Sequence, residues 1–307
     1  MYIESAKSGK NQFWRYLIGV LIIILSTQII GALPLLGLMI HAIVITGNLT
    51  VPANPTDFSA MGIDPNLGLM AMLFPFAVGL VFIYIVIRKI HQRPFLTLLT
   101  SRTSFSWPRF WFGALLWTLL MSISLIGHYM LEPGNYSISF DYRKFIPLAL
   151  ISLTLIPLQA GFEELLFRGY LMQGFGLLFR NKWLPLLITG FGFGLLHAFN
   201  PEVHAYGFWL TMPQYIGLGL FFGLLVLLDE GLELALGIHI LNNIFLSLFL
   251  TDDNSALQTS AVFHAGTANP VGDLIEMYIF MIIFLLLAQV KFRWSGWRSF
   301  FMRKTLQ

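Results

Sequence analysis

Eight apolar stretches, each near the length that crosses a lipid bilayer, follow one another along this chain of 307 residues. A membrane-spanning helix needs about 20 predominantly apolar residues. Only 11% of the residues are charged, whereas a typical soluble domain is about 25% charged. Since only helices and closed barrels satisfy their backbone polar groups in lipid, the sequence predicts an all-α, polytopic membrane protein.

The apolar stretches also predict the domain organisation. The fifth and sixth are short, and Pro34 could split the first. No internal repeat or low-complexity linker separates them, so we predict a single integral membrane domain over residues 1–307. The eight predicted spans are Trp14–Ile40, Leu67–Ile87, Phe110–Leu131, Pro147–Gly174, Leu184–Phe199, Pro213–Leu228, Leu232–Leu250 and Leu274–Val290.

Basic residues are distributed unevenly over the loops between these spans. Counted over alternate loops and both termini, 15 fall on one side of the predicted membrane and two, Arg143 and Lys144, on the other. By the positive-inside rule both termini are predicted to be cytoplasmic. The basic residues cluster beside apolar spans, so the net charge of +3 gives no indication of nucleic-acid binding.

Three polar clusters interrupt the apolar stretches, namely Glu163-Glu164-x-x-x-Arg168, Phe193-x-x-x-His197 and His239-x-x-x-Asn243. An ionisable side chain in hydrocarbon costs about 2–3 kcal/mol or more, so it normally faces a protein-lined cavity and has a partner. The predicted boundaries place the clusters at similar depths in the cytoplasmic half of the membrane. We therefore expect them to line one cavity that opens to the cytoplasm.

Within each cluster the i, i+4 spacing puts two side chains on one helix face. Glu164 is therefore predicted to pair with Arg168, whereas Glu163 lies about 100° around the helix. This set could also be a buried ion pair that only stabilises the fold. Either His197 or His239, taken singly, could be a hydrogen-bonded core histidine. The three clusters together favour an active site, because three unrelated costly insertions would otherwise be needed.

The residue types in these clusters indicate hydrolysis of a carbonyl substrate. A carboxylate and an imidazole can hold and deprotonate a water molecule. A second imidazole and a carboxamide can donate hydrogen bonds to a developing oxyanion. The chain contains no cysteine and no G-x-S-x-G sequence, which argues against a cysteine or serine nucleophile.

The order E-E-x-x-x-R, F-x-x-x-H, H-x-x-x-N on successive apolar stretches resembles the CPBP intramembrane protease family. That family includes type II CAAX prenyl endopeptidases and bacterial proteins linked to bacteriocin processing and self-immunity. The resemblance covers about residues 147–250. It implies catalytic roles for four residues: Glu163 as the water-activating glutamate, His197 as the histidine that shares the water, and His239 with Asn243 as the pair that stabilises the oxyanion.

The resemblance also implies that Glu164 and Arg168 support the site, and Phe193 is expected to pack beside them. No H-E-x-x-H sequence is present, which excludes one common zinc geometry. Two histidines and a glutamate could still form an open three-ligand zinc site. We expect a metal-free mechanism with no cofactor, because the asparagine donor and the arginine-paired carboxylate suit an oxyanion hole.

The implied function is an intramembrane endopeptidase of a prokaryotic cell membrane. Its partners would be the lipid bilayer and a membrane-associated peptide or protein, including a prenylated CAAX-type tail, and not nucleic acid. One alternative is a non-catalytic immunity or scaffold protein that keeps the ion-pair core. Another is a proton-coupled transporter, for which an inverted internal repeat is typical; the sequence shows none.

Overall fold

The computed structural model describes residues 1–47, 54 and 56–294, and these residues form a helical bundle with a small sheet at one end. The helices are α1 (Phe13–Ser26), α2 (Leu33–Thr46), α3 (Pro65–Ile85), α4 (Leu96–Leu99), α5 (Trp107–Leu131), α6 (Tyr142–Glu164), α7 (Met172–Phe179), α8 (Trp183–Leu196), α9 (Pro201–Tyr206), α10 (Phe208–Asp229), α11 (Glu233–Phe249) and α12 (Pro270–Phe292). Short 3₁₀ turns cover Ile3–Ser8 and Pro133–Asn135, and π-helical segments cover Thr27–Gly31, Val86–Ile90 and Leu165–Leu171.

Six helical runs in the described part of the chain are long and apolar enough to cross a membrane. They establish a multi-pass integral membrane protein. The remaining two predicted spans correspond to the shorter helices α8, with 14 residues, and α11, with 17 residues. The sixth predicted span is not short, because α10 continues through Pro213 back to Phe208 and has 22 residues.

The first and fourth apolar runs are longer than predicted. Helices α1 and α2 join through a π-helical segment into one run of 33 residues, so Pro34 does not end it. Pro34 lies in the first turn of α2, where its missing N–H would have no helical partner in any case. The fourth run extends from Tyr142 to Phe179 and includes a second π-helical segment, Leu165–Leu171.

Neighbouring helices come into close contact at glycines, which have no side chain to keep the backbones apart. Helices α5 and α11 pack together, and a Cβ at Gly237 would lie 2.2 Å from the Phe110 carbonyl oxygen. Helices α8 and α10 pack together in the same way, with Gly219 against Gly190. Helix α11 also packs against α6. These pairings bring the helices that carry the three polar clusters into one region.

A three-stranded sheet joins the loops at one end of the bundle. It contains β1 (Tyr136–Ile138), β2 (Leu250–Thr251) and β3 (Phe263–Ala265), in the order β1-β3-β2. Strand β3 pairs antiparallel with β1 and parallel with β2. The sheet follows α5 and α11 directly, so it ties together the ends of two helices that are already packed against each other.

Candidate active site

A buried ion pair lies at the centre of the site. Arg168 donates from Nη1 to Oε1 of Glu164 over 2.7 Å, and both side chains are fully inaccessible to solvent. Its other terminal nitrogen donates to the carbonyl oxygen of Gly219 over 3.0 Å. The predicted pairing of Glu164 with Arg168 therefore forms, although the intervening turns are π-helical rather than α-helical. Such π segments are frequent at functional sites.

His239 lies between the two adjacent carboxylates of α6. Its Nδ1 is 2.8 Å from Oε1 of Glu164, and its Nε2 is 3.5 Å from Oε2 of Glu163. The imidazole stacks on Phe222, with ring centroids 5.2 Å apart and planes inclined by 24°. Glu163 is 9% exposed and His239 is 5% exposed, so this contact forms almost entirely inside the protein.

Phe193 packs at the junction of these groups. The Arg168 guanidinium lies 4.3 Å from the centroid of its ring. The rings of His197 and His239 lie 4.8 Å and 5.9 Å from it, respectively. Phe193 thus contacts both histidines and the arginine, and an aromatic face stabilises a nearby cation. Phe193 therefore packs beside these groups, and its supporting role stays a prediction.

Gln159 connects Glu163 to Asn243, and the sequence analysis missed it. Its Nε2 donates to Oε1 of Glu163 over 2.6 Å, and its Oε1 accepts from Nδ2 of Asn243 over 3.0 Å. Gln159 precedes Glu163 by four residues, which is the spacing that placed Glu164 beside Arg168. The same spacing could have indicated it.

His197 occupies the end of α8 rather than its interior. The helix ends at Leu196, so the predicted span to Phe199 is too long by three residues, and His197 is the C-cap residue. Its Nδ1 lies 2.9 Å from the Phe193 carbonyl oxygen. Because a carbonyl oxygen only accepts, Nδ1 carries the proton and Nε2 of a neutral ring is left as an acceptor.

An additional aromatic side chain holds the His197 ring. Tyr215 on α10 stacks on it, with centroids 4.4 Å apart and planes inclined by 17°. The Tyr215 hydroxyl donates to the Glu202 carboxylate and accepts from Nδ2 of Asn200 at 3.0 Å. None of these three residues was identified from the sequence, because their contacts join α10 to α9 and no spacing along one helix indicates them.

The direct contacts differ in one respect from the roles implied by the resemblance. The imidazole beside Glu163 belongs to His239, and no ion-pair contact joins Glu163 to His197 in the described part of the chain. His197 reaches the group through Phe193. Among the described residues, no three histidine, aspartate or glutamate side chains are arranged to hold a metal ion.

A family profile and a bacterial relative match this chain. The profile of the family described as type II CAAX prenyl endopeptidase Rce1-like matches residues 143–245, which contain all three polar clusters. The chain is 30% identical over 265 residues to the uncharacterized protein YyaK of Bacillus subtilis (strain 168). That alignment covers 86% of this chain and 87% of the relative. No solved structure matches the chain.

Proposed function

This chain belongs to the Rce1-like CPBP intramembrane protease family, and from that premise we propose that it is an intramembrane endopeptidase. It hydrolyses a peptide bond of a membrane-associated substrate with a water molecule that Glu163 activates. The observation that carries this proposal is the contact of His239 with both carboxylates, 2.8 Å from Glu164 and 3.5 Å from Glu163. It places a polarisable imidazole beside the proposed base.

The proposed topology has eight membrane-spanning helices and two cytoplasmic termini. The distribution of 15 basic residues against two supports this orientation, although Arg298, Arg303 and Lys304 lie outside the described residues. Helices α8 and α11 count as spans in this arrangement. At 1.5 Å per residue they rise only about 21 Å and 25 Å, and longer helices pack around them. Glu163 and His239 would then react inside the bilayer.

The hydrogen bonds of the buried group determine which ring nitrogen of His239 the proposed mechanism can use. Glu164 accepts from Arg168 as a carboxylate, so Nδ1 of His239 must donate to the same oxygen. The proposed oxyanion contact therefore needs a proton on each ring nitrogen of His239. Only in this form does Nε2 also carry a proton that it can donate.

The reaction begins when Oε2 of Glu163 removes a proton from water, and the oxygen attacks the scissile carbonyl carbon. Oε2 is suited to this step, because Oε1 already accepts from Gln159 whereas Oε2 has no hydrogen-bond partner among the described residues. His197 lies on the other side of Phe193 with an acceptor at Nε2, and we assign it a role in orienting the same water molecule.

The tetrahedral intermediate places negative charge on the former carbonyl oxygen. Nε2–H of His239 and an N–H of Asn243 are the proposed donors to this oxygen, and one such donor contributes about 10²–10³-fold to the rate in other hydrolases. Glu163 then returns its proton to the leaving amine as the carbon–nitrogen bond breaks. Glu164 and Arg168 hold His239 in place, and Phe193 packs against Arg168 and His239.

We propose a metal-free reaction with no cofactor. Oε2 of Glu163 has no hydrogen-bond partner among the described residues, so it can act on water directly. In the zinc-dependent version of the same protease, Nε2 of each histidine and the Glu163 carboxylate would hold the metal, and chelation tests this alternative.

The proposed substrate is a membrane-associated peptide with a prenylated CAAX-type terminus. The matching family profile, which is named for such an endopeptidase, supports this substrate class. The experiment uses the purified protein in liposomes with paired peptides that differ only in whether the cysteine is farnesylated. Mass spectrometry should detect cleavage of the farnesylated peptide. Cleavage of unmodified peptides alone would reject prenyl recognition, and cleavage of none would favour a non-catalytic immunity or scaffold protein.

A further inference from the structure

Four hydrogen bonds run in one direction across three helices and end on Glu163. Trp117 on α5 donates from Nε1 to Oδ1 of Asn242 over 3.0 Å. Nδ2 of Asn242 donates to Oδ1 of Asn243 over 3.0 Å. Nδ2 of Asn243 donates to Oε1 of Gln159 over 3.0 Å, and Nε2 of Gln159 donates to Oε1 of Glu163 over 2.6 Å.

The indole fixes the direction of this amide chain. An indole N–H can only donate, whereas each side-chain amide can present either its oxygen or its nitrogen after a flip. Trp117 therefore requires the oxygen of Asn242, which leaves the Asn242 nitrogen for Asn243. The same reasoning turns the nitrogen of Asn243 toward Gln159. Asn243 is thereby held as a donor, which is the state an oxyanion contact needs.

The Glu163 end of the chain fixes the same direction most strongly while Glu163 is a carboxylate. A carboxylate accepts from Gln159, but a protonated carboxyl group can also donate. In the proposed reaction Glu163 takes up a proton just as negative charge forms on the substrate. The proton goes to Oε2, so Oε1 still accepts from Gln159 but as a neutral and weaker acceptor, whereas Trp117 donates in every state and keeps its constraint on the amides.

The position of Trp117 is itself well defined by packing. Its side chain is 2% exposed. It lies against Phe221, Phe280 and Phe284, with ring centroids 5.9, 6.0 and 6.3 Å away. A buried aromatic ring enclosed in this way has little freedom to turn its N–H elsewhere.

We propose that Trp117 is a positioning residue that, through Asn242, keeps the amide of Asn243 oriented as a donor during catalysis. The inference rests on the proposed function for its catalytic consequence. The amide orientation itself can be measured without any substrate. Trp117 does not touch the reacting atoms, and the sequence analysis identified neither it nor Asn242.

The test uses full-length, ¹⁵N-labelled protein in lipid nanodiscs. Trp117→Phe removes the indole donor and keeps an aromatic ring. Asn242→Leu breaks the next link without a large change in volume, so it tests the chain even if Trp117→Phe fails to fold. Trp111→Phe is the matched control, because Trp111 lies on the same helix and is 50% exposed. Side-chain amide NMR signals of Asn243 and Gln159 report the orientation directly.

We expect both variants to shift the amide signals of Asn243 and Gln159, and Trp111→Phe to leave them unchanged. In peptide cleavage, kcat should fall about tenfold to a hundredfold, as for a displaced oxyanion donor. KM should stay within about twofold of the wild-type value, because the loss is confined to the transition state. The double variant should be about as active as the less active single variant, since both substitutions break the same chain of hydrogen bonds.

Unshifted amide signals in both variants would overturn the oriented chain. Shifted signals with wild-type kcat in both variants would overturn its role in positioning Asn243. If the wild-type protein cleaves no peptide, the proposed protease function fails by itself, and the NMR comparison still decides whether Trp117 orients the amides.

Discussion

Nδ1 of His239 and the side chain of Arg168 share one acceptor, because both contact Oε1 of Glu164, at 2.8 Å and 2.7 Å. One carboxylate oxygen thus connects α11 to the π-helical segment that follows α6. The other side of the imidazole faces Glu163. Glu164 is therefore a structural anchor for His239, and Glu163 keeps one carboxylate oxygen available for chemistry.

Removal of Arg168 should destabilise the fold. Arg168→Ala leaves Glu164 as a buried carboxylate without its cation, and breaking a buried pair on one side costs about 3–5 kcal/mol. Thermal unfolding in detergent should show a clearly lower Tm. Arg143→Ala, at an exposed position, is the matched control and should leave Tm nearly unchanged. An Arg168→Ala protein with the wild-type Tm and no activity would instead place Arg168 in the reaction.

The ring of Tyr215 should matter more for activity than its hydroxyl. Tyr215→Phe keeps the stack on His197 but loses the contacts with Glu202 and Asn200, whereas Tyr215→Leu loses both. We expect kcat to be about tenfold lower for the leucine variant than for the phenylalanine variant, because misplacing the imidazole costs orientation. Peptide cleavage measures this difference, with the exposed Tyr142→Leu as control. Equal activities would show that the stack does not position His197.

Acid should destabilise the protein through His91, which lies just past the second apolar helix. The side chain is inaccessible, and its Nδ1 donates to the Lys10 carbonyl oxygen over 2.8 Å. Burial lowers the pKa of His91 from 6.5 to about 4. The positive charges of Arg93 and Arg15 act in the same direction, and the hydrogen bond to the Lys10 carbonyl oxygen opposes the shift. Between these values the unfolded chain binds a proton that the folded protein does not. Stability therefore falls as pH falls through this window.

His91→Gln removes this titrating group, so the fall in stability from pH 6.5 to about 4 should be less steep than in the wild type. Chemical unfolding at several pH values measures the slope. The exposed His204→Gln provides the comparison, since it should leave the slope as it is in the wild type. Identical slopes for wild type and His91→Gln would remove His91 from the acid response.

Chelation should leave peptide cleavage intact. In the proposed mechanism Glu163 acts on water directly, through a carboxylate oxygen that has no hydrogen-bond partner among the described residues. We expect full activity after dialysis against a zinc chelator and no stoichiometric zinc in the purified protein by elemental analysis. Activity that disappears on chelation and returns with Zn²⁺ would establish the zinc-dependent protease instead.

The sequence predicted the helical membrane fold and the Glu164–Arg168 pair because both depend on local periodicity. Apolar length indicates a span, and i, i+4 spacing indicates a shared helix face. Helix ends were less predictable. The apolar residues on both sides of His197 continue the hydrophobic pattern to Phe199, yet α8 ends at Leu196 and the chain turns toward the short helix α9.

The partners of the predicted residues could not be obtained from spacing along the chain. Asn243 on α11 contacts Gln159 on α6. His239, which was expected only to stabilise the oxyanion with Asn243, also contacts Glu163. Trp117 and Tyr215 resemble ordinary aromatic residues of membrane helices until their contacts are known. Such relationships depend on how α5, α6, α10 and α11 pack, which single-helix periodicity does not specify.

The central claim is that Glu163 is the base, and the rate of peptide cleavage by Glu163→Gln tests it most directly. Glutamine has nearly the same shape and cannot accept the proton, so cleavage should fall by about 10²–10⁴-fold or more. The Glu163→Gln protein should remain folded in the same detergent, and Glu276→Gln, which alters a partly exposed carboxylate on α12, should keep wild-type activity. Wild-type cleavage by a folded Glu163→Gln protein would contradict the account.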